Sequence, residues 1–379
     1  MDNLTHTLVG LAAAKAGLER LSPMATTVCV LAANAPDVDI VAALGGKWFY
    51  LHNHRGITHS IIGTLALALF IPLSFYAIDQ AIARIRKRDP SLKLRGLLIA
   101  SLILSASHPL LDWANNYGVR PLLPWNGQWF YGDLVFIVDP WIWLIIGGAA
   151  FLVTSARKWQ LATWTALALL LTALVMYLPL QNGGLLHPNI FRAIWICAIV
   201  GLFFLRTTNL AVKRRKTVVI GAFALVIIYF GGLAIAHRLA LSQGRIMAER
   251  LSSENDEKLN RMAAMPTLAD PLRWQCVVDT SRAVYRFFVS IPGGEMSELS
   301  RFEKPEGLAA DAVAHAALNE HAQIFLDFAR FPAARVDGNC LSGLLVQFAD
   351  IRYTEPGTSR RGTFSLSVPV ACDENAGEP

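Results

Sequence analysis

The chain has 379 residues, 54% of them hydrophobic and 16% charged, with a formal net charge of +6. A soluble globular domain carries roughly 25% charged residues, and here the uncharged residues gather into runs over 60–78, 97–111, 140–154, 159–180, 193–205 and 217–236. Several runs approach the roughly 20 residues that cross a bilayer, which excludes a soluble enzyme, and the surplus of Lys and Arg comes with no nucleic-acid-binding motif, which argues against that partner.

In chain order, residues 3–19 and 21–44 predict two short or interrupted segments, the second broken by Asn34, Asp37 and Asp39. No basic region and no small-residue cleavage site precede Pro36, so no cleavable signal peptide is expected. Segments 60–82 and 96–113 flank the cluster Arg84, Arg86, Lys87, Arg88, Lys93 and Arg95. Segments 139–155 and 159–180 turn at Arg157 and Lys158, and 190–206 and 217–236 flank Arg206, Lys213, Arg214, Arg215 and Lys216. Basic clusters mark cytoplasmic loops. Putting all three inside gives an all-α polytopic membrane domain of about eight helical segments, in the cell (inner) membrane, with both ends outside.

Three regions follow. Residues 1–145 form a membrane metal-site domain, 146–240 add transmembrane helices, and 241–379 hold a charged linker and a small α+β domain expected to be extracytoplasmic. In that last region, 272–291 and 341–371 read as strands broken by turns such as Pro356-Gly357, and 306–330 reads as helix. Cys276, Cys340 and Cys372 allow one disulfide there, whereas Cys29 and Cys197 fall in apolar runs as packing residues. Trp113, Trp125, Trp129, Tyr131, Trp141 and Trp143 are expected at the membrane interface.

The chemistry gathers early. Five of the nine histidines lie in the first 108 residues, each beside other ligand-type side chains: Asp2 and His6, Asp37 and Asp39, His52, His54 and His59, then His108 and Asp112. Histidine with carboxylate suits zinc, manganese or iron. His108 and Asp112 are four apart and share a helix face. The topology, drawn from basic residues alone, brings His6, Asp37, His59, His108 and Asp112 to one membrane face as ligands. Asp2, Asp133 and Asp139 are further candidates there, although Asp2 equally suits a helix N-terminus and Asp139, before Pro140, an N-cap. Asp39 or His54 is the candidate general base. Arg55, whose fork matches phosphate oxygens, is the candidate anion stabiliser, with a headgroup anchor as the alternative.

The pieces Asp2-x-x-Thr5-His6, Pro36-Asp37-x-Asp39, His54-Arg55-Gly56-x-Thr58-His59-Ser60 and His108-x-x-x-Asp112 resemble the LexA-regulated, membrane-bound metal-dependent hydrolase family (YdjM-like). The resemblance covers about residues 1–145 and implies a hydrolase without naming a substrate. A more distant likeness is to the zinc-dependent phospholipase C and single-strand nuclease superfamily, where an early histidine, an aspartate, further histidines and a His-x-x-x-Asp helix hold zinc. No second histidine-plus-acid pair follows Asp112 here, so a three-zinc site is not implied. The expectation is a zinc-favouring metal-dependent phosphoester hydrolase at the outer interface, meeting membrane lipids and a lipid-linked substrate. The rival expectations are a transporter or metal-handling membrane protein, and a non-catalytic scaffold with a structural metal.

Overall fold

The computed structural model describes residues 1–182, 188–208, 213–339, 343–357 and 364–371. It divides into two compact units. The first comprises Met1–Val38, Arg55–His237 and Met265–Arg273, and the second Asp39–His54, Arg238–Ala264 and Trp274–Pro379.

The first unit is helical. Helix α1 (Asn3–Ala16) begins at Asp2, whose carboxylate accepts from the Thr5 backbone N–H at 3.0 Å, meeting one of the donors that a helix start leaves unpaired. Helix α2 (Ala25–Asn34) crosses α1 closely, because a Cβ at Gly10 would stand 2.8 Å from the Cys29 carbonyl oxygen. A 3₁₀ stretch (Ala35–Gly45) continues α2. Helix α3 (Lys47–Asn53) belongs to the second unit. A short 3₁₀ turn (Ile57–His59) then leads into α4 (Ile61–Ile85), capped by Ser60. A Cβ at Gly63 would come within 1.8 Å of the Ile57 carbonyl oxygen, so this turn can fold back on α4 only over a glycine.

Helix α5 (Leu94–Trp113) follows a basic loop held by Asp79, which accepts from Arg88 at 2.6 Å and from the Ser91 and Leu92 backbone at 2.7 and 2.9 Å. Its buried residues, Gly96, Leu97, Ala100, Ser101, Leu104, Ser105, His108 and Asp112, step by three and four along one face. That stripe lies on α2. Ser105 Oγ donates to the Ala32 carbonyl at 3.3 Å and His108 Nδ1 reaches the Ala33 carbonyl at 2.6 Å. Both carbonyls are in the last turn of α2, just before the 3₁₀ stretch. The polar end of α5 thus packs on the end of α2.

Helices α6 (Pro140–Thr154, with a π-helical turn over Trp143–Gly147), α7 (Lys158–Asn182), α8 (Pro188–Thr207) and α9 (Arg215–Glu254, which runs on into the second unit) follow. Six helical stretches are long and apolar enough to cross a membrane: Ala25–Gly45, Ile61–Ile85, Leu94–Trp113, Lys158–Tyr177, Asn189–Thr207 and Arg215–Glu254. Of the eight expected segments, α1 has 14 residues and α6 is also short. At about 1.5 Å per residue, α1 falls well under the roughly 30 Å of a hydrocarbon core.

The second unit holds a four-stranded sheet in the order β1 (Leu259–Pro266), β2 (Arg273–Thr280), β3 (Ala283–Ser290), β4 (Glu295–Glu303) and a three-stranded sheet β5 (Pro332–Asn339), β6 (Gly343–Asp350), β7 (Ser365–Val370). Helices α10 (Leu308–Ala316) and α11 (Glu320–Phe328) sit between them in sequence. Trp274, Tyr285, Phe287, Phe325, Phe328 and Phe331 are fully buried within it. The sequence reading keeps residues 39–54 with the N-terminal domain, yet α3 packs on α11. Trp48 stacks on His321 at 5.3 Å, and Lys47 donates to the Ser365 carbonyl at 3.1 Å. Cys276 is a buried free thiol, pushed up to about 12 by burial. Cys340 and Cys372, the other candidates for a disulfide, lie outside the described residues.

Candidate metal centre

Four side chains from three places in the chain meet in the first unit. Asp37 comes from the 3₁₀ stretch after α2, His59 from the turn before α4, and His108 and Asp112 from the last turns of α5. One ligand atom from each lies within 4.8 Å of all the others. His59 Nε2 is 3.4 Å from Asp37 Oδ1, 3.2 Å from Asp112 Oδ2 and 3.2 Å from His108 Nε2. His108 Nε2 is 3.4 Å from Asp37 Oδ1 and 3.5 Å from Asp112 Oδ2. His59, His108 and Asp112 are completely buried, and Asp37 keeps 14% of its side chain exposed.

These distances test whether a cation fits. The Ala33 carbonyl can only accept, so His108 Nδ1 carries a proton and, in the neutral ring, Nε2 carries a lone pair. That lone pair points at another imidazole nitrogen and two carboxylate oxygens. Asp112 Oδ2 is buried with no hydrogen-bond partner. Buried lone pairs and carboxylate oxygens that converge are costly unless a positive centre lies among them. Two imidazoles and two carboxylates match the donor preferences of zinc, manganese and iron, so the residues fit a divalent metal.

His6 joins the group from α1. Its ring stacks on His108 with centroids 3.7 Å apart, and its Nε2 is 3.4 Å from Asp112 Oδ1. Both its ring nitrogens are buried without a hydrogen-bond partner. The terminal nitrogen of Met1 also lies against Asp112 Oδ1.

Arg55 is turned inward. It is 3% exposed, and its guanidinium donates to Asp112 Oδ1 at 3.1 Å, to the Asp112 carbonyl at 3.3 Å, to Asn115 Oδ1 at 3.0 Å and to the Gly118 carbonyl at 3.2 Å. It also lies over the Tyr117 ring at 4.7 Å. A left-handed backbone at Arg55 (φ 53°) accompanies this placement.

The other candidates make contacts of their own. Asp39 and His54 belong to the second unit, where Asp39 Oδ1 and His54 Nδ1 are 3.1 Å apart and Tyr50 stacks on His54 at 4.7 Å. Asp2 caps α1 and also accepts from Thr5 Oγ1 at 2.7 Å and Trp143 Nε1 at 3.2 Å. Asp139 caps α6, accepting from the Trp141 and Ile142 backbone at 2.8 and 3.1 Å and from Tyr229 at 2.9 Å. Asp133 is buried with a left-handed backbone. Trp143 is a correction to the interfacial reading: it is buried, with its indole N–H also reaching Thr5 Oγ1 at 3.1 Å. Trp113 and Trp125 do stand exposed.

Two supporting residues escape sequence reading. Asn3 donates to Asp37 Oδ2 at 2.8 Å, and Asn115 orients Arg55. Asn3 follows Asp2, and Asn115 lies three residues past Asp112. Their proximity to motif residues is the only signal that could have found them.

Residues 1–185 match the YdjM inner membrane protein family. The chain is similar to the uncharacterized protein YfhP of Bacillus subtilis (strain 168), with 29% identity over 154 residues, 38% of this chain and 43% of that protein. The likeness thus spans less than half the length of that relative. No solved structure matches significantly. Residues 1–185, which include all the ligand candidates, are thus similar to the YdjM inner membrane protein family, and the chain is a multi-pass membrane protein.

Proposed function

We propose that this chain is a membrane-bound metal-dependent hydrolase that cleaves a phosphoester at the outer face of the inner membrane. The observation that carries the reading is the convergence of Asp37, His59, His108 and Asp112 within 4.8 Å in a buried site. These four would hold the ion, with His6 as a fifth donor. A divalent ion in such a donor set supplies a Lewis acid that polarises a phosphoryl oxygen and acidifies water. Zinc is the favoured ion, and manganese or iron also suits the donors.

The protein's own residues supply the rest. Arg55 orients Asp112 through its fork and adds positive charge beside the reacting centre. Asp39 or His54 is the candidate base, chosen on sequence position alone, since Asp39 is two residues beyond Asp37 and His54 is next to Arg55. In the reaction the water oxygen bonds to phosphorus, the phosphorus–oxygen bond to the leaving alcohol breaks, and the proton passes to that alcohol. The outer location rests on the basic loops 84–95 and 206–216 staying inside.

The test is metal analysis of purified full-length protein alongside hydrolysis of p-nitrophenyl and bis-p-nitrophenyl phosphate. Bound metal with turnover supports the reading. Metal without turnover points to a structural ion, and metal flux across vesicles without turnover points to a transporter.

A further inference from the structure

A cavity of about 530 Å³ lies between α4 and α5, within the roughly 300–1,000 Å³ typical of ligand sites. Its walls are apolar save for His59 and Thr64. Leu65 and Ala68 come from α4, and Leu102, Ala106, Leu110 and Trp113 from α5. Leu65, Leu102, Leu110 and Trp113 remain exposed, so the groove is open among the described residues. Both walls are candidate membrane spans, so the medium at its open side is lipid hydrocarbon.

One end of the groove is set by the loop after α5. Val119 and Phe130 exchange backbone hydrogen bonds at 3.0 and 2.9 Å, and the Ile61 N–H reaches the Pro121 carbonyl at 3.0 Å. Val119, Pro121 and Phe130 all line the cavity, and so does His59. His59 is thus shared between the groove and the metal-ligand group.

We infer that this groove takes the hydrocarbon chain of a lipid phosphoester and delivers its ester to the side of the site formed by His59. The inference rests on the hydrolase reading and names its substrate class. An apolar chain leaving the bilayer for the groove changes one apolar environment for another, so burial alone gives little affinity. The gain is positional: a chain held along α4 and α5 fixes where the ester stands. A helix from another protein or a second copy could cover the same leucines, but it would leave unexplained why the groove includes a ligand histidine.

The test uses full-length protein in phosphatidylcholine nanodiscs and a dodecyl phosphate bearing a chain diazirine, with a butyl phosphate bearing the same group for comparison. Photolabelling by the dodecyl probe should concentrate on peptides containing Leu65, Leu102 and Leu110, well above α7 and α8. Unlabelled dodecyl phosphate should compete, and butyl phosphate should not. Ala106→Trp fills the groove from a position that is not itself a candidate ligand, and it should cut this labelling by at least about tenfold with metal content unchanged. Leu102→Trp is the second variant should the first fail to fold. Labelling spread evenly over all apolar helices, or unaffected by both competitor and variants, overturns the inference. Metal content separates the two readings. Selective labelling in a protein that binds no metal leaves the groove and removes the hydrolase. Unselective labelling in a metal-loaded protein does the reverse.

Discussion

His108 Nδ1 stands 2.6 Å from the carbonyl oxygen of Ala33. Through that one contact the last turn of α2 sets the tautomer of a candidate ligand on α5. The carbonyl accepts a hydrogen bond from Nδ1–H, and Nε2 is left to face Asp37, His59 and Asp112. Ligand histidines are commonly oriented by such a backbone or carboxylate acceptor. Here the acceptor lies in the last turn of α2, so packing α5 on α2 and orienting His108 are the same event.

The turn that carries His59 depends on the absence of a side chain at Gly63. Gly63→Ala should push the turn off α4, because its Cβ would meet backbone at 1.8 Å. Overpacking of this kind costs about 1–3 kcal/mol. We expect a lower thermal midpoint in detergent and weaker metal binding in titrations. A variant with wild-type values of both would show that His59 is placed by other contacts.

Arg55 provides the donors for Asn115 Oδ1 and the Asp112 and Gly118 carbonyls as well as the partner of Asp112. Removing one member of a buried pair leaves the other uncompensated, at about 3–5 kcal/mol. Arg55→Leu should therefore destabilise the membrane region strongly, read as a drop in unfolding midpoint. If the midpoint holds, Arg55 is not a structural partner of Asp112.

The second unit offers a pH test that does not involve the metal centre. Burial pushes the Glu257 carboxyl up, but hydrogen bonds from Arg301 at 2.9 Å, Thr280 at 2.7 Å and Tyr285 at 3.0 Å, with the Arg301 charge, hold it below its ordinary range. A depressed carboxyl contributes stability above its unfolded value of about 4.3, and that contribution is lost as pH falls through the folded value. Glu257→Gln should be less stable than wild type at pH 7 and converge with it at strongly acidic pH. Calorimetry of the full chain in detergent reads this directly, and an equal deficit at both pH values would contradict it.

Orientation is tested by impermeant thiol labelling in intact cells. Asn126→Cys should react and Lys87→Cys should be protected until the membrane is opened. The opposite pattern would turn the site to the cytoplasm.

Much of the site is legible in the sequence, for definite reasons. His108 and Asp112 are tied by helical spacing, and the basic loops bring the ends that carry Asp37, His59 and Asp112 to one level. His6 follows because α1 ends its first turn there. The inward course of Arg55 is not legible, since it depends on a single left-handed backbone angle and on carbonyls at 112 and 118. Nor is the membership of α3 in the second unit, whose partners Ser365 and His321 lie some 270 to 320 residues along the chain. Trp143 looks like any interfacial tryptophan until its indole is seen against Asp2 and Thr5.

The most direct test of the metal centre is elemental analysis of purified wild-type, His108→Ala and Asp112→Ala proteins, with His315→Ala as the control. His315 is exposed in the second unit. Wild type and control should carry bound divalent metal that is lost on acidification, as histidine ligands demand. The two site variants should insert into the membrane yet lose most of it. Wild-type metal content in folded His108→Ala and Asp112→Ala would contradict the account.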